Sequence, residues 1–177
     1  MADVIVERNG LLMRQGTGLM IFRQGANGPE LLVGPRAGMC PPEYQLPQGG
    51  LDEGLTHEQN AYKEADEELG LKPRELYFVG LTPTMTSYVL PKKLRENNPR
   101  KFDGQEHRWA VFRYIGEAEL PDLRLAKDRE FSQLRWSPPM WVVAHTGEFR
   151  VKPYETAIPE ALALLKTATL PNKAEPA

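Results

Sequence analysis

The sequence of 177 residues has almost no cysteine, no long hydrophobic run and little net charge, and each absence excludes a class of protein. Cys40 is the only cysteine, which excludes an internal disulfide and a metal site built from several cysteines. The longest apolar run, at 161–165, is far shorter than the roughly 20 residues of a membrane-spanning helix. A formal net charge of −2 argues against broad, sequence-independent binding of nucleic acid.

The start of the sequence carries Asp3 and Glu7 and lacks the apolar segment of a secretory signal. Together with the single cysteine, this favours a reducing compartment, so we expect a cytoplasmic protein without membrane contact. The length and the ordinary share of hydrophobic residues, 41%, predict one domain over 1–170 with its own core. The low-complexity segment 171–177 is expected to be a disordered tail.

Short apolar runs alternate with a few helical segments, which predicts an α+β fold. The runs at 18–22 and 30–33 flank the turn-rich segment 25–29 and predict a β-hairpin. Further strands are predicted at 76–81, 109–115 and 131–136, and further helices at 141–144 and 161–166. Pro159 is expected to begin or kink the last helix. Because strands lie on both sides of a central helix without regular βαβ alternation, we expect an α/β/α sandwich with a mixed sheet.

The clearest predicted helix runs from Thr56 to Leu69. Thr56 and Gln59 have the spacing of a capping box, in which each side chain accepts a hydrogen bond from the other residue's amide. Apolar residues recur every four positions from Ala61 to Leu69 and form a narrow stripe that faces a core. Gly70 supplies the left-handed conformation that ends a helix.

Carboxylates crowd the last two turns of this helix, where the helix dipole disfavours negative charge. Glu64, Glu67 and Glu68 are three and four positions apart, so they share a face and repel one another, with Lys63 beside them. A solvated acidic face is one interpretation of this cluster. A divalent cation is the other, because Mg²⁺ prefers carboxylate oxygens and keeps waters for a phosphate substrate. The spacing alone supports both interpretations equally.

The segment 49–71, which contains these glutamates, resembles the Nudix box. That pattern is Gly, five residues, Glu, seven residues, then Arg-Glu-aliphatic-any-Glu-Glu-any-Gly-aliphatic. The residues in register with it are Gly49, Glu64, Glu67, Glu68, Gly70 and Leu71. Three positions depart from the pattern, since Leu55 replaces its first Glu, Lys63 its Arg and Ala65 its larger aliphatic residue. The departures at Leu55 and Lys63 imply that one orienting interaction of the box is lost.

The resemblance extends over roughly 16–165 and is closest to the dinucleoside polyphosphate hydrolases and bacterial RNA pyrophosphohydrolases of the Nudix family. The segments that carry it outside the box are 44–50, 87–94, 104–109 and 130–136. Tyr88 lies seventeen residues past the end of the box, where that subgroup carries its tyrosine. The ADP-ribose hydrolases of the family have a proline in this neighbourhood instead.

This resemblance implies two sets of site residues. The candidates for catalysis and for binding Mg²⁺ or Mn²⁺ are Glu64, Glu67, Glu68 and Glu130. The candidates for substrate binding are Arg14, Arg36, Tyr88, Lys92, Lys93 and Gln105. Lys92 and Lys93 belong to the basic segment 91–101, which would hold a polyphosphate. Tyr88 would stack on a base or hydrogen-bond a phosphate. A solvated loop and simple strand packing are the alternative interpretations of these positions.

The implied activity is metal-dependent hydrolysis of a phosphoanhydride bond, in diadenosine tetraphosphate and similar molecules or at the 5′-triphosphate end of RNA. One alternative is a Nudix hydrolase of ADP-ribose or nucleotide sugars, against which the position of Tyr88 argues. Another is a catalytically weak nucleotide-binding module, which Leu55 and Lys63 favour and the intact glutamates oppose. The expected partner is a small nucleotide or an RNA 5′ end, and nothing in the sequence implies a stable protein partner.

Overall fold

The computed structural model describes residues 2–169, and the tail predicted at 171–177 lies outside the described residues. The strands of the described part are β1 (Ile5–Arg8), β2 (Leu11–Gly25), β3 (Gly28–Pro35), β4 (Tyr44–Gln45), β5 (Gln48–Gly50), β6 (Leu76–Leu81), β7 (Thr86–Val89), β8 (Gly104–Tyr114) and β9 (Arg135–Ser137). Its α-helices are α1 (His57–Leu69), α2 (Lys92–Glu96), α3 (Pro139–His145) and α4 (Glu148–Thr167). None of these helices is long and apolar enough to cross a membrane.

The two longest strands, β2 and β8, pair in parallel at the centre of one mixed sheet. The main path of the sheet runs β4-β3-β2-β8-β6, and the pairings other than β2 with β8 are antiparallel. Strand β5 pairs with β2, so the segment 48–50 is fixed to the centre of the sheet. The predicted hairpin is confirmed, with β2 and β3 joined by a tight turn at which Gly25 pairs with Gly28.

Successive residues of β2 alternate between two cores on opposite faces of the sheet. Leu19 and Ile21 belong to the core that contains the apolar stripe of α1. Met20 and Phe22 belong to the core that lies under α3 and α4. All four side chains are fully buried, because each face of the sheet is covered by helices. The predicted α/β/α sandwich is confirmed.

Helix α1 begins and ends as its local sequence predicts. The Thr56 hydroxyl accepts a hydrogen bond from the Gln59 amide at 3.1 Å, and the Gln59 side chain accepts one from the Thr56 amide at 3.0 Å. Gly70 has a φ of 68° and ends the helix in the left-handed conformation. The stripe from Ala61 to Leu69 is fully buried against the sheet, which turns the glutamate-bearing side toward the end of β5.

Two predicted elements differ from the structure. Helix α4 begins at Glu148, so the expectation that Pro159 begins it is wrong. Pro159 removes one amide donor from the helix. The burial of Tyr154 and Ile158 against the sheet nevertheless keeps the residues before Pro159 helical. The strand predicted at 131–136 is reduced to β9 and one isolated bridge, because the apolar residues before β9 enter the core from a loop.

Candidate active site

A polar cleft of about 760 Å³ lies beside the C-terminal half of α1 and is lined by acidic and basic side chains. The acidic residues that line it, which form the acidic wall, are Asp3, Asp52, Glu64, Glu67, Glu68, Asp128 and Glu130. The basic residues that line it are Arg14, Arg36, Lys63, Arg100 and Arg150. The cleft therefore unites most of the site residues that the sequence predicted, including Gln105.

Strand β5 holds two of the glutamates of α1 in place. The amide of Gln48 donates a hydrogen bond to Oε2 of Glu68 at 3.2 Å. A Cβ atom at Gly49 would overlap the carboxylate of Glu64, so only glycine allows the helix to approach the strand this closely. Glycine at position 49 is thus required by the position of Glu64.

Burial disfavours the ionised form of the glutamates in the acidic wall. Glu64 and Glu68 are 5% and 6% exposed. Burial raises the pKa of Glu64, although the nearby charge of Lys63 partly opposes it. Burial, followed by the charges of Glu64 and Glu130, raises the pKa of Glu68 well above its usual value. A bound cation would remove this conflict, since it would offset both the lost hydration and the mutual repulsion.

Lys63 places an ammonium group inside the acidic set. Its Nζ lies 2.9 Å from Asp52 Oδ2, 3.1 Å from Glu67 Oε2 and 3.2 Å from Glu64 Oε1. Burial alone would lower the pKa of Lys63, but these carboxylates outweigh it and raise the pKa above its usual value. The charged pair of the box pattern is absent, because Leu55 supplies no charge. Asp52, from an adjacent loop, pairs with Lys63 instead.

The donor chemistry of the acidic wall fits a hard divalent cation. Its members present carboxylate oxygens, and the absent side chain at Gly49 leaves room beside the Glu64 carboxylate. In the described residues, no three carboxylate, histidine or cysteine side chains converge on one point as a metal site requires. The ammonium of Lys63 contacts Glu64 and Glu67 in this conformation, so convergence requires rotation of these side chains.

The loop before β9 brings two more carboxylates to the cleft. The amides of Lys127 and Asp128 donate to the carbonyl oxygen of Glu67 at 2.8 and 2.9 Å, which anchors this loop to the end of α1. Glu130 accepts a hydrogen bond from Gln45 Nε2 at 3.1 Å and lies 3.6 Å from Arg36 Nε. The sequence predicted Glu130 and missed Asp128, which no motif marks.

Arg150 is the basic residue of the cleft that sequence reasoning missed. Its side chain is 7% exposed, and its Nη1 lies 3.6 Å from Glu43 Oε2. Its Nε is buried and has no hydrogen-bond partner among the described residues, and the same holds for Nε of Arg14. Buried donors without partners are rare in folded proteins, so both guanidinium groups fit a site for an anionic ligand. No signal in the sequence marks Arg150, because the helix predicted at 161–166 starts too late to include it.

Tyr88 lies outside the cleft lining and does not offer a free face for a base. Its ring is 8% exposed, stacks on His107 at 5.8 Å and packs against Phe149 at 5.0 Å. Its hydroxyl accepts a hydrogen bond from Gln48 Nε2 at 3.2 Å. The pairing of β7 with β8 buries the ring, which favours the strand-packing interpretation over stacking on a base.

Lys92 and Lys93 also lie outside the cleft lining, so the structure does not bring them together with the predicted glutamates. Both are exposed on α2, and Nζ of Lys92 lies 3.8 Å from Glu96. The part of this basic segment that reaches the cleft is its end, through Arg100 and its neighbours. A short helix at 92–96 turns the two lysines to solvent, and periodicity in such a charged segment does not reveal it.

Comparisons with known proteins agree with this geometry. The NUDIX domain matches residues 13–157 of the chain. The RNA pyrophosphohydrolase of Coxiella burnetii is 34% identical over 163 residues, which cover 90% of this chain and 68% of that protein. The RNA pyrophosphohydrolase of Rhodospirillum rubrum is 35% identical over 153 residues, which cover 85% of this chain and 88% of that protein.

Solved structures share the fold at lower sequence identity. A Nudix hydrolase from M. smegmatis superimposes with a TM-score of 0.67 at 18% identity, over 95% of this chain and 98% of that one. A C. elegans Ap4A hydrolase superimposes with a TM-score of 0.60 at 16% identity, over 84% and 97%. From the extent of the domain match and the identity of its relatives, we conclude that the chain belongs to the Nudix family.

Proposed function

We propose that this Nudix hydrolase cleaves a phosphoanhydride bond of a nucleotide polyphosphate, either the 5′-triphosphate end of RNA or a dinucleoside polyphosphate. The observation that carries the proposal is a cleft whose lining combines the acidic wall with several arginines. Polyphosphates suit such a cleft, because metal ions held by carboxylates and guanidinium groups both neutralise phosphate charge.

The choice of substrate class is supported by relatives and by sequence. Several relatives that cover most of the chain are named RNA pyrophosphohydrolases, which supports the RNA 5′ end. The segment 44–50 resembles both that subgroup and the dinucleoside polyphosphate hydrolases. Both substrates present an anhydride next to a nucleoside, so the same cleft lining suits either substrate.

Nudix hydrolases generally use divalent metal ions, and here we assign the metal-binding role to Glu64, Glu67, Glu68 and Glu130. We expect Mg²⁺ or Mn²⁺, which when bound would neutralise phosphate charge and lower the pKa of a water molecule. One of these carboxylates would also accept a proton from the attacking water, and we assign this role to Glu68, which the Gln48 amide holds at the cleft.

The arginines of the cleft would bind and orient the phosphates. Arg150 brings a buried guanidinium whose Nε has no partner among the described residues. Nε of the partly buried Arg14 is likewise without a partner there, while its Nη2 pairs with Asp3 at 2.9 Å. Arg36 lies at the rim, 49% exposed, and Gln105 adds an uncharged amide. Charge-assisted hydrogen bonds from these groups would hold the anhydride against the glutamates and exclude water from its other side.

The cellular location of the enzyme and its partners complete the proposal. We expect a cytoplasmic enzyme, because Cys40 is exposed and free, as suits a reducing compartment. The expected partners are nucleotides and RNA 5′ ends.

The test is a product assay with Mg²⁺ on 5′-triphosphorylated RNA, diadenosine tetraphosphate and ADP-ribose, resolved by chromatography. We expect metal-dependent cleavage of the first two at higher kcat/KM than of ADP-ribose. Glu68→Gln is the matched control, and we expect it to lower kcat by about a hundredfold or more, the usual contribution of a general base. A preference for ADP-ribose would contradict the substrate class. Absence of metal-dependent cleavage on all three would contradict the activity.

A further inference from the structure

The ammonium group of Lys63 is shared among three carboxylates, of which only one lies outside the proposed metal set. Glu64 and Glu67 belong to that set and lie 3.2 and 3.1 Å from Nζ of Lys63. Asp52 lies on the loop before α1 and is the nearest of the three, at 2.9 Å. Lys63 therefore occupies the acidic wall as a built-in cation, and a second cation on the same glutamates must compete with it.

The position of Asp52 is fixed without any help from Lys63. Its amide donates to Oδ1 of Asn60 at 3.2 Å, and its carbonyl oxygen accepts from the amide of Leu55 at 3.1 Å. Asn60 is fully buried and is itself held by a hydrogen bond to the carbonyl oxygen of Gly50 at 3.0 Å. The backbone of Asp52 is thus anchored independently of Lys63, and its carboxylate extends toward Lys63 from this fixed position.

The carboxylate of Asp52 has no other partner that would compete for it. Its Oδ2 is buried, and the Lys63 ammonium is its only partner among the described residues. The side chain is 11% exposed, so the pair is shielded from solvent more than a surface ion pair. If Lys63 left, a buried carboxylate would lose its only counter-charge.

We propose that Asp52 is a positioning residue that retains Lys63 when a divalent cation binds Glu64 and Glu67. Metal binding breaks the two contacts of Lys63 with the glutamates and leaves its contact with Asp52. Without Asp52, the ammonium has no anchor except the glutamates themselves, so it opposes metal binding. The inference rests on the proposed metal site and adds a determinant of its affinity that does not contact the metal.

The test is a double-mutant cycle on Mn²⁺ affinity, measured from the electron paramagnetic resonance signal of free Mn²⁺ without substrate. The variants are Asp52→Asn, Lys63→Met and the two combined. We expect Asp52→Asn to weaken Mn²⁺ binding about tenfold, within the range of coupling between contacting residues. We expect Lys63→Met to tighten it. In the Lys63→Met background, Asp52→Asn should change affinity by less than about twofold, because the group through which it acts is gone.

Asp128→Asn is the matched control, since Asp128 lines the cleft but makes no ion pair with Lys63. The effect of Asp128→Asn on Mn²⁺ affinity should be the same in wild-type protein and in the Lys63→Met variant, as expected for a charge that acts through space. An effect of Asp52→Asn that is equally independent of Lys63 would overturn the inference and leave the metal site intact. If wild-type protein binds no Mn²⁺, the proposed function fails together with the inference.

A second measurement does not depend on the folding of any variant. The side-chain ¹⁵N signal of the Lys63 ammonium in wild-type protein reports whether the group stays protected from exchange with water. We expect protection to persist when Mg²⁺ is added, because Asp52 still holds the group. Loss of the protected signal on addition of Mg²⁺, with Mg²⁺ bound, would show that Asp52 does not retain Lys63.

Discussion

At the scale of single residues, Arg150 is the side chain whose loss we expect to weaken substrate binding most. Its guanidinium is buried at the cleft and its Nε has no partner. A charge-assisted hydrogen bond of this kind contributes about 1.5–3 kcal/mol, so Arg150→Ala should lower kcat/KM about ten- to a hundredfold, mainly through KM. Steady-state kinetics on triphosphorylated RNA measure this.

The double change Lys92→Ala with Lys93→Ala is the control for Arg150, because it removes more charge from the exposed helix α2. We expect it to change kcat/KM by less than about threefold, as exposed charges contribute little. A larger loss in the lysine variant than in Arg150→Ala would contradict the position of the substrate in the cleft.

Glu68 gives the metal-free protein a pH dependence whose sign follows from its raised pKa. Between 4.5 and the raised pKa of Glu68, the native state binds more protons than the unfolded chain, so the free energy of unfolding decreases as pH rises. Glu68→Gln should therefore be more stable than wild type at pH 8, and the difference should shrink as pH falls toward 4.5.

Urea unfolding of both proteins in a metal chelator measures the Glu68 effect as a difference between two curves. The difference is needed because His107, whose pKa is lowered to about 3 by burial, destabilises both proteins as pH falls. A Glu68→Gln variant that is less stable than wild type at pH 8 would contradict the electrostatic account of this wall.

At the scale of elements, the close approach of α1 to β5 is what sets the glutamates at the cleft. Gly49→Ala would place a methyl group against the carboxylate of Glu64 and should displace it, so we expect a loss of Mn²⁺ affinity of tenfold or more with the fold retained. Gly80→Ala is the control, since a Cβ in that strand would only contact Leu164 at 3.7 Å. Circular dichroism and Mn²⁺ titration of the two variants check this, and equal affinity in both would contradict it.

The elements also show which parts of the site a sequence can reveal. Helix α1 was predicted nearly to the residue, because its capping box at Thr56 and its stop at Gly70 are local signals. Helix α4 was underestimated, because no side chain caps its start at Gly147 and prolines interrupt its pattern. Arg150 was missed for that reason, although it lies in the first turn of α4.

Contacts between distant segments were the part that sequence could not supply. The pair formed by Asp52 and Lys63 joins a loop to a helix, and no spacing rule links the two positions. The burial of Tyr88 follows from the pairing of two strands, so the sequence alone leaves packing as only one of two interpretations of this residue. Motif residues such as Glu64 were found because the box itself is contiguous.

At the scale of the whole molecule, the sandwich brings segments that are far apart in the sequence to one cleft. Strands β2, β5 and β8, the end of α1, the loop before β9 and the start of α4 are among those that contribute charged or polar groups to it. The opposed cores on the two faces of the sheet fix these segments independently of any ligand. The central claim is that the acidic side of this preformed cleft is a divalent-cation site that the isolated protein leaves under electrostatic strain.

The melting temperature with and without Mg²⁺ or Mn²⁺ tests this claim most directly, for wild type and for the double variant Glu67→Gln with Glu68→Gln. Metal at a hundredfold excess over Kd stabilises the native state by about 2.7 kcal/mol, which for a domain of this size raises Tm by about 5–10 °C. We expect this rise in wild type. The double variant should melt higher than wild type without metal and should not respond to metal. A wild type without a metal-dependent shift, together with a double variant of no greater stability, would mean that the glutamates form only a solvated acidic face.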